Sequence, residues 1–201
     1  MPTRLILLLA GGIAASLYGQ GVIDFTAGLN PLAEHRVYID EWLNPSALAP
    51  EGNQFLIALY FSHDSDNESS LMQAGGAVGF LGAPGERRGI FHGGGRTVPT
   101  VYPGAPGFFQ VKGWESVYGT TYEEAASKPA ARIGKSPVFV ADTRHPDSLE
   151  PNPNLVNGSM GSGRPFQGFV IAIPEPSSGI LVFAGIMTTA LVLRRKFFGS
   201  E

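Results

Sequence analysis

A mainly β, antiparallel domain of the β-sandwich or jelly-roll-like kind is the fold that this 201-residue sequence predicts. Three observations predict it. The apolar residues fall in runs of five to eight and not in long stripes of helical period. Those runs are rich in aromatic and branched side chains, which suit a pleated surface. Finally, 27 glycines and 16 prolines punctuate nearly every gap between them, as the turns of an antiparallel fold require.

The runs are QFLIALYF (54–61), GAVGFL (76–81), SPVFV (136–140) and FQGFVIAI (166–173), each bounded by Gly, Pro, Asn or Asp. In FFQVKGW, Phe109 and Val111 alternate with Gln110 and Lys112, which predicts a half-buried strand. Gly113 before Trp114 predicts a bulge where the phase changes. One helix interrupts the pattern. In GTTYEEAASKPA, Thr121 stands three residues before Glu124 as a capping box and Pro129 stops the helix after about two turns. Residues 143–165 are poor in apolar side chains and heavy in Pro, Asn, Ser and Gly, which predicts a long flexible surface loop before the last strand.

Both ends carry targeting features. Residues 1–19 offer one positive charge at Arg4, an apolar stretch from Leu5 to Leu17 and small residues from Ala14 to Gly19, the layout of a secretory signal peptide. Cleavage after Gly19 or after Ser16 leaves a small residue before the cut. At the other end, residues 177–193 contain no charge, and a helix of that length spans about 26 Å, just enough for a transmembrane helix. Arg194, Arg195 and Lys196 follow at once, a basic stop that keeps its side of the span in the cytoplasm. Everything before Pro174 is then outside.

Pro174-Glu175-Pro176, the short apolar span and the Arg194-Arg195-Lys196 cluster, in that order, resemble the C-terminal sorting signal of PEP-CTERM proteins. The resemblance covers residues 173–198 and assigns 174–198 to the signal. It implies a bacterial protein of a Gram-negative cell, exported and then processed by a membrane-embedded exosortase. The stretches QGVIDFTAG, VYIDEW, FFQVKGWESVYGTTYEEAA and GKSPVF resemble, more loosely, a group of PEP-CTERM proteins of similar length with no assigned activity. That second resemblance implies an architecture and a location, and no reaction.

Composition bounds the exported part, residues 20–173, counted here together with Pro174-Glu175-Pro176 as residues 20–176. Without Arg4, the basic stop and Glu201, the chain carries 10 Lys+Arg against 16 Asp+Glu, a net charge near −6. Binding nucleic acid or an anionic lipid surface through the field needs clustered Lys/Arg, so nucleic acid is not an expected partner. There is no cysteine, which excludes disulfides and thiolate metal sites and leaves burial to hold the core. A single domain of this size buries about two thirds of its unfolded surface.

Chemistry is sparse. In HDSDNES, Asp64, Asp66 and Glu68 alternate like the start of a calcium loop. Counted from Asp64, the sixth residue is Ser69 and the twelfth is Gly75, so the EF-hand pattern fails. A looser calcium site competes with a solvated acidic loop. HGGGR (92–96) lacks the Gly-x-Ser-x-Gly elbow of an esterase, and GKS (134–136) lacks the first glycine and the helix of a phosphate loop; both read as turns. His35, His63, His92 and His145 show no zinc spacing. Asp40-Glu41 and Glu123-Glu124 point to different faces and suit solvent. Trp42, Trp114, Tyr102, Tyr118 and Tyr122 form either a sugar-stacking platform or core.

These readings converge on an exported structural or adhesive protein of the cell surface, extracellular matrix or biofilm. It is anchored in the inner membrane by its C-terminal helix before processing. It is expected not to be an enzyme and to need no cofactor; an exosortase is its expected partner, with extracellular polysaccharide as another. The alternatives are a secreted carbohydrate-binding or carbohydrate-active protein and an unprocessed single-pass membrane protein.

Overall fold

Aromatic and branched runs settle as strands when each can bury a face against another run. The computed structural model describes residues 20–27, 33–41, 44–81, 88–156 and 165–174. The expected signal peptide (1–19), Trp42, Glu175, Pro176, the span 177–193 and the basic stop Arg194, Arg195, Lys196 lie outside the described residues. In chain order the strands are β1 (Gly21–Thr26), β2 (Tyr38–Glu41), β3 (Asn44–Leu48), β4 (Gly52–Ser62), β5 (Met72–Gln73), β6 (Val78–Phe80), β7 (His92–Val98), β8 (Pro106–Glu115), β9 (Ile133–Lys135), β10 (Phe139–Asp142) and β11 (Val170–Ile171). Among the described residues there is one α-helix, α1 (Tyr122–Ala126), with 3-10 turns at Ala33–His35, Glu68–Ser70 and Ser116–Tyr118. The protein is mainly β. Among the described residues no helix is long and apolar enough to cross a membrane.

The largest sheet is ordered β10-β8-β4-β5, with β6 also on β4 and β9 also on β8. Its spine is the long antiparallel pair β4–β8, in register from Phe55↔Glu115 to Ser62↔Phe108. β1 and β7 form a two-stranded sheet, and β11-β2-β3 a three-stranded one. All three sheets turn side chains into one core: Ile23 and Phe25 from β1, Ile39 from β2, Phe55, Ile57, Leu59 and Phe61 from β4, Val98 from β7, Phe109 and Val111 from β8. Between the named strands pairing is antiparallel except for β11 and β2, which run parallel.

The expectation of a half-buried β8 is corrected. Phe109 and Val111 face the main core, but Gln110 is fully buried and Lys112 is 8 % exposed on the opposite face. A second, smaller core of Ala58, Tyr60, Leu71, Trp114, Ala125 and Ala131 covers that face, because α1 folds back over it. Gly113 makes no bulge either, since the register runs on through Gly113↔Ile57 and Trp114↔Leu56. It is the packing that wants no side chain there: a Cβ would lie 2.8 Å from Ile171 Cδ1 and 3.2 Å from Phe169 Cε2.

The helix starts as expected. Thr121 Oγ1 accepts from the Glu124 N–H at 3.2 Å, and the Glu124 carboxylate accepts from the Thr121 N–H at 3.3 Å. The helix is five residues long, shorter than two turns, and stops before Pro129.

Four other expectations change. HGGGR lies within β7, not in a turn: β1 advances two residues from Asp24 to Thr26 while β7 spans Gly95 to His92, a bulge. Gly94 takes φ 69° there, which favours glycine, and Gly93 lies against the Phe25 ring with no room for a Cβ. GKS runs from β9 into the residue after it instead of forming a turn. The 136–140 strand begins only at Phe139, after Pro137, and continues to Asp142. Of 166–173 only Val170–Ile171 is strand; Phe166, Phe169 and Ile171 nevertheless reach the core.

Within 143–165, residues 157–164 lie outside the described residues. The part before them is held to β1: Val22 and Arg144 exchange backbone bonds at 2.8 and 2.9 Å, Asp24 N–H donates to the Pro153 carbonyl at 2.9 Å, and Leu155 is fully buried.

Candidate functional site

The densest group of interacting polar side chains sits on the outer face of β4 and β8. Tyr60 of β4 and Gln110 of β8 are register partners, and Lys112 is two residues further along that face. α1 brings Tyr122 and Glu123 over them, the turn at Glu68–Ser70 brings Glu68, and β9 brings Lys135. The 63–69 loop is shaped locally to do this. Asn67 N–H donates to Ser65 Oγ at 3.0 Å, and Asn67 Oδ1 accepts from Ser69 N–H at 3.1 Å, so the loop closes on itself.

The geometry is that of a latch. The Lys112 ammonium lies 4.0 Å from the Tyr60 ring centroid and 5.0 Å from that of Tyr122, and its Nζ is 3.4 Å from Glu123 Oε1. Tyr60 OH donates to Glu123 Oε2 at 2.9 Å. Gln110 Nε2 donates to Glu68 Oε1 at 2.7 Å and to the Ser136 carbonyl at 2.9 Å, and Lys135 Nζ donates to Glu68 Oε2. A cation over two electron-rich rings with a carboxylate beside it is a favourable way to keep a lysine out of water.

The titrations follow. Burial, and then the hydrogen bond to Glu123, push the Tyr60 phenol well above its usual value; burial raises Tyr122 as well. Both stay neutral at physiological pH, Tyr60 as a donor to Glu123. The hydrogen bond from Lys135, reinforced by Gln110 against a partial burial cost, holds the Glu68 carboxyl below the usual carboxylate range. The arrangement clamps α1 and the Glu68–Ser70 turn onto one face of the sheet.

A pH prediction comes from Glu68. A carboxyl whose folded pKa is lowered adds stability above its unfolded pKa, and that stability is lost as pH falls through the folded value. The Glu68 side chain is 43 % exposed, so screening keeps the contribution below about 1 kcal/mol. Glu68→Gln is expected to lower the melting temperature by a few degrees at pH 7 and to converge with the parent in acid. Thermal melts from pH 7 down to 3 check this, and a gap that widened toward acid would contradict it.

The expected site residues are scattered. Asp64 and Asp66 are exposed while Glu68 turns away to Lys135 and Gln110. His63 pairs with Asp64 at 3.8 Å, His145 with Asp147 at 3.7 Å, and the buried His35 with Glu34 at 3.8 Å. His92 stands on β7 near Asp24, whose carboxyl is raised mainly by burial. Among the described residues no three His, Cys, Asp or Glu could share a metal ion. Trp114 is fully buried and donates Nε1–H to the Gly119 carbonyl at 3.0 Å. Its ring meets Tyr122 edge-on at 6.4 Å, so these two pack against each other; Tyr102 is half exposed. Of Pro174-Glu175-Pro176, Pro174 is exposed directly after Ile173.

A cavity of about 280 Å³ beside β10 is lined by Pro137, Val138, Phe139, Pro165 and Gln167. It brings no ionisable side chain among its lining residues.

The latch was not legible as a site. Lys112 and Gln110 alternate with apolar neighbours as solvent-facing residues do, and segments from elsewhere in the chain cover them, Lys112 under Tyr122 and Glu123 of α1 and Gln110 under Glu68 and Ser136. The one local signal was Tyr122 at the start of a capped helix, an aromatic in need of a partner. No protein-family model matches the chain, and neither a curated protein nor a solved structure was found to match it.

Proposed function

We propose that the chain is an exported structural or adhesive protein of the cell surface or extracellular matrix, delivered through a PEP-CTERM signal that an exosortase processes. The observation that carries this reading is the order Pro174-Glu175-Pro176, a 17-residue uncharged run, and Arg194-Arg195-Lys196. Each Pro lacks an N–H and restrains the residue before it, so the tripeptide resists helix and keeps an extended, charged peptide at the membrane surface. The basic cluster holds the short span in place from the other side.

Two features of the fold support it. Ile171 is fully buried and Pro174 exposed, so the chain passes from core to surface in three residues and the tripeptide begins where the domain ends. Three sheets enclose one core without cysteine, which suits a β-sandwich or jelly-roll-like domain stable without thiol chemistry. The polar latch spends its charged groups on each other, a construction fitted to rigidity.

The test separates sorting from insertion. In a host carrying the cognate exosortase, replacing Pro174, Glu175 and Pro176 by Ala, Gln and Ala is expected to leave insertion intact and abolish maturation. Changing Arg194, Arg195 and Lys196 to Ser should instead misplace the tail. Intact-mass measurement of the protein from fractionated cells reads both. An Ala-Gln-Ala variant that matures with the parent's C-terminus would refute the sorting reading and leave a simple membrane anchor.

A further inference from the structure

The polar latch joins an amine and an amide through one carboxylate. Lys135 Nζ donates to Glu68 Oε2, and Gln110 Nε2 donates to Glu68 Oε1 at 2.7 Å. Strand pairing brings the two ends together. Lys112 faces Lys135 across the β8–β9 ladder, so Gln110, two residues along the same face, is the diagonal neighbour of Lys135. Diagonal pairs stand about 7–8 Å apart, within the combined reach of a lysine and a glutamine side chain.

The two partners are held differently. Gln110 is fully buried. Its nitrogen is engaged twice, by Glu68 and by the Ser136 carbonyl at 2.9 Å, while its Oε1 is buried without a hydrogen-bond partner. The Lys135 side chain is 46 % exposed, so packing does not lock its end group away from the amide. A carboxylate with one oxygen on a nucleophile and the other on a leaving nitrogen is placed to carry a proton between them. Lys112, on the same face, adds a positive charge that acts on Glu68 and favours negative charge building on Oε1.

We propose that Lys135 and Gln110 form an intramolecular amide cross-link, with Glu68 as the proton carrier. Glu68 takes a proton from the Lys135 ammonium, and the neutral Nζ attacks Gln110 Cδ. The bond from Cδ to Nε2 then breaks as Glu68 gives its proton to Nε2. The surplus proton on the new amide nitrogen passes to the departing ammonia, which leaves as ammonium. One C–N bond forms and one breaks, with no oxidant and no second molecule, and proximity supplies the effective concentration. The product ties β8 to β9, which also meets the last strand through Ile133 and Ala172. This goes beyond the sorting reading and does not depend on it.

The Lys135–Glu68 ion pair belongs to the freshly folded chain, the state in which the Glu68→Gln melts are made. The test follows the intact mass of the purified full-length chain, kept folded for weeks at mildly alkaline pH, where more of Lys135 is uncharged. The mass is expected to fall by one ammonia, and tandem mass spectrometry to recover Gln110 and Lys135 in one branched peptide. Lys135→Arg and Glu68→Gln, each checked as folded by circular dichroism, should keep their full mass. A folded parent that keeps its full mass, with the two residues in separate peptides, overturns the cross-link. The same mass loss without a branched peptide marks a cyclised asparagine and overturns it too. A link that forms as fast in Glu68→Gln overturns the role of Glu68.

Discussion

Gly168→Ala is expected to destabilise the domain by about 4 kcal/mol or more, within the range reserved for changes that break the backbone arrangement. The new methyl would occupy the position of the Arg36 carbonyl, and backbone cannot yield as a side-chain tip can. Separation of the two segments would break the bonds Gly168 to Glu34 and Tyr38 to Phe169, each worth about 1 kcal/mol net, and partly withdraw Phe166 and Phe169 from the core. Gly76→Ala is the control. A Cβ there meets nothing within 4 Å, so its urea midpoint should match the parent's. Equal midpoints for the two variants would remove the glycine-fit argument.

Trp114→Ala is expected to cost about 3–5 kcal/mol, the usual range for deleting a large buried aromatic. The ring is fully buried, donates to the Gly119 carbonyl at 3.0 Å and meets Tyr122. Its loss leaves a cavity under α1 and an unpaired carbonyl at the turn leading to the helix. The damage should be local: Trp114 belongs to the outer core with Ala125 and Ala131, not to the core that joins the three sheets. Hydrogen exchange should show α1 amides losing protection while β4 and β8 retain theirs. Uniform loss across both would mean that the two cores fold as one unit.

What could be read from the sequence was what short range decides. The capping box of Thr121 and Glu124 and the strand over 54–61 are signalled by residues that are neighbours in the chain, and both formed. The burial of Gln110 and Lys112 depends on the Glu68 turn, Ser136 and α1, all outside the strand, so their alternation pointed to solvent. The glycines of 92–96 looked like a turn because their reason, the Phe25 ring across the ladder and a bulge at Gly94, lies nearly 70 residues away. Residues 166–173 looked like a full strand because three of their apolar residues are core anchors, yet only two residues take ladder geometry. Among candidate sites, the alternating carboxylates at 64, 66 and 68 were visible, but the commitment of Glu68 to Lys135 and Gln110 was not.

The parallel pairing of β11 with β2 also sets the timing of folding. Tyr38 emerges early in synthesis and Val170 near the end, and loop closure over such a separation makes the pairing one of the slowest contacts in the chain. Until it forms, the sheet that holds β2 and the sheet that holds β9 are not bridged through this strand. A chain that crosses a membrane must remain threadable while it does so. Under the export proposed above, a closing strand placed immediately before the tail would delay the final lock until the whole domain has passed.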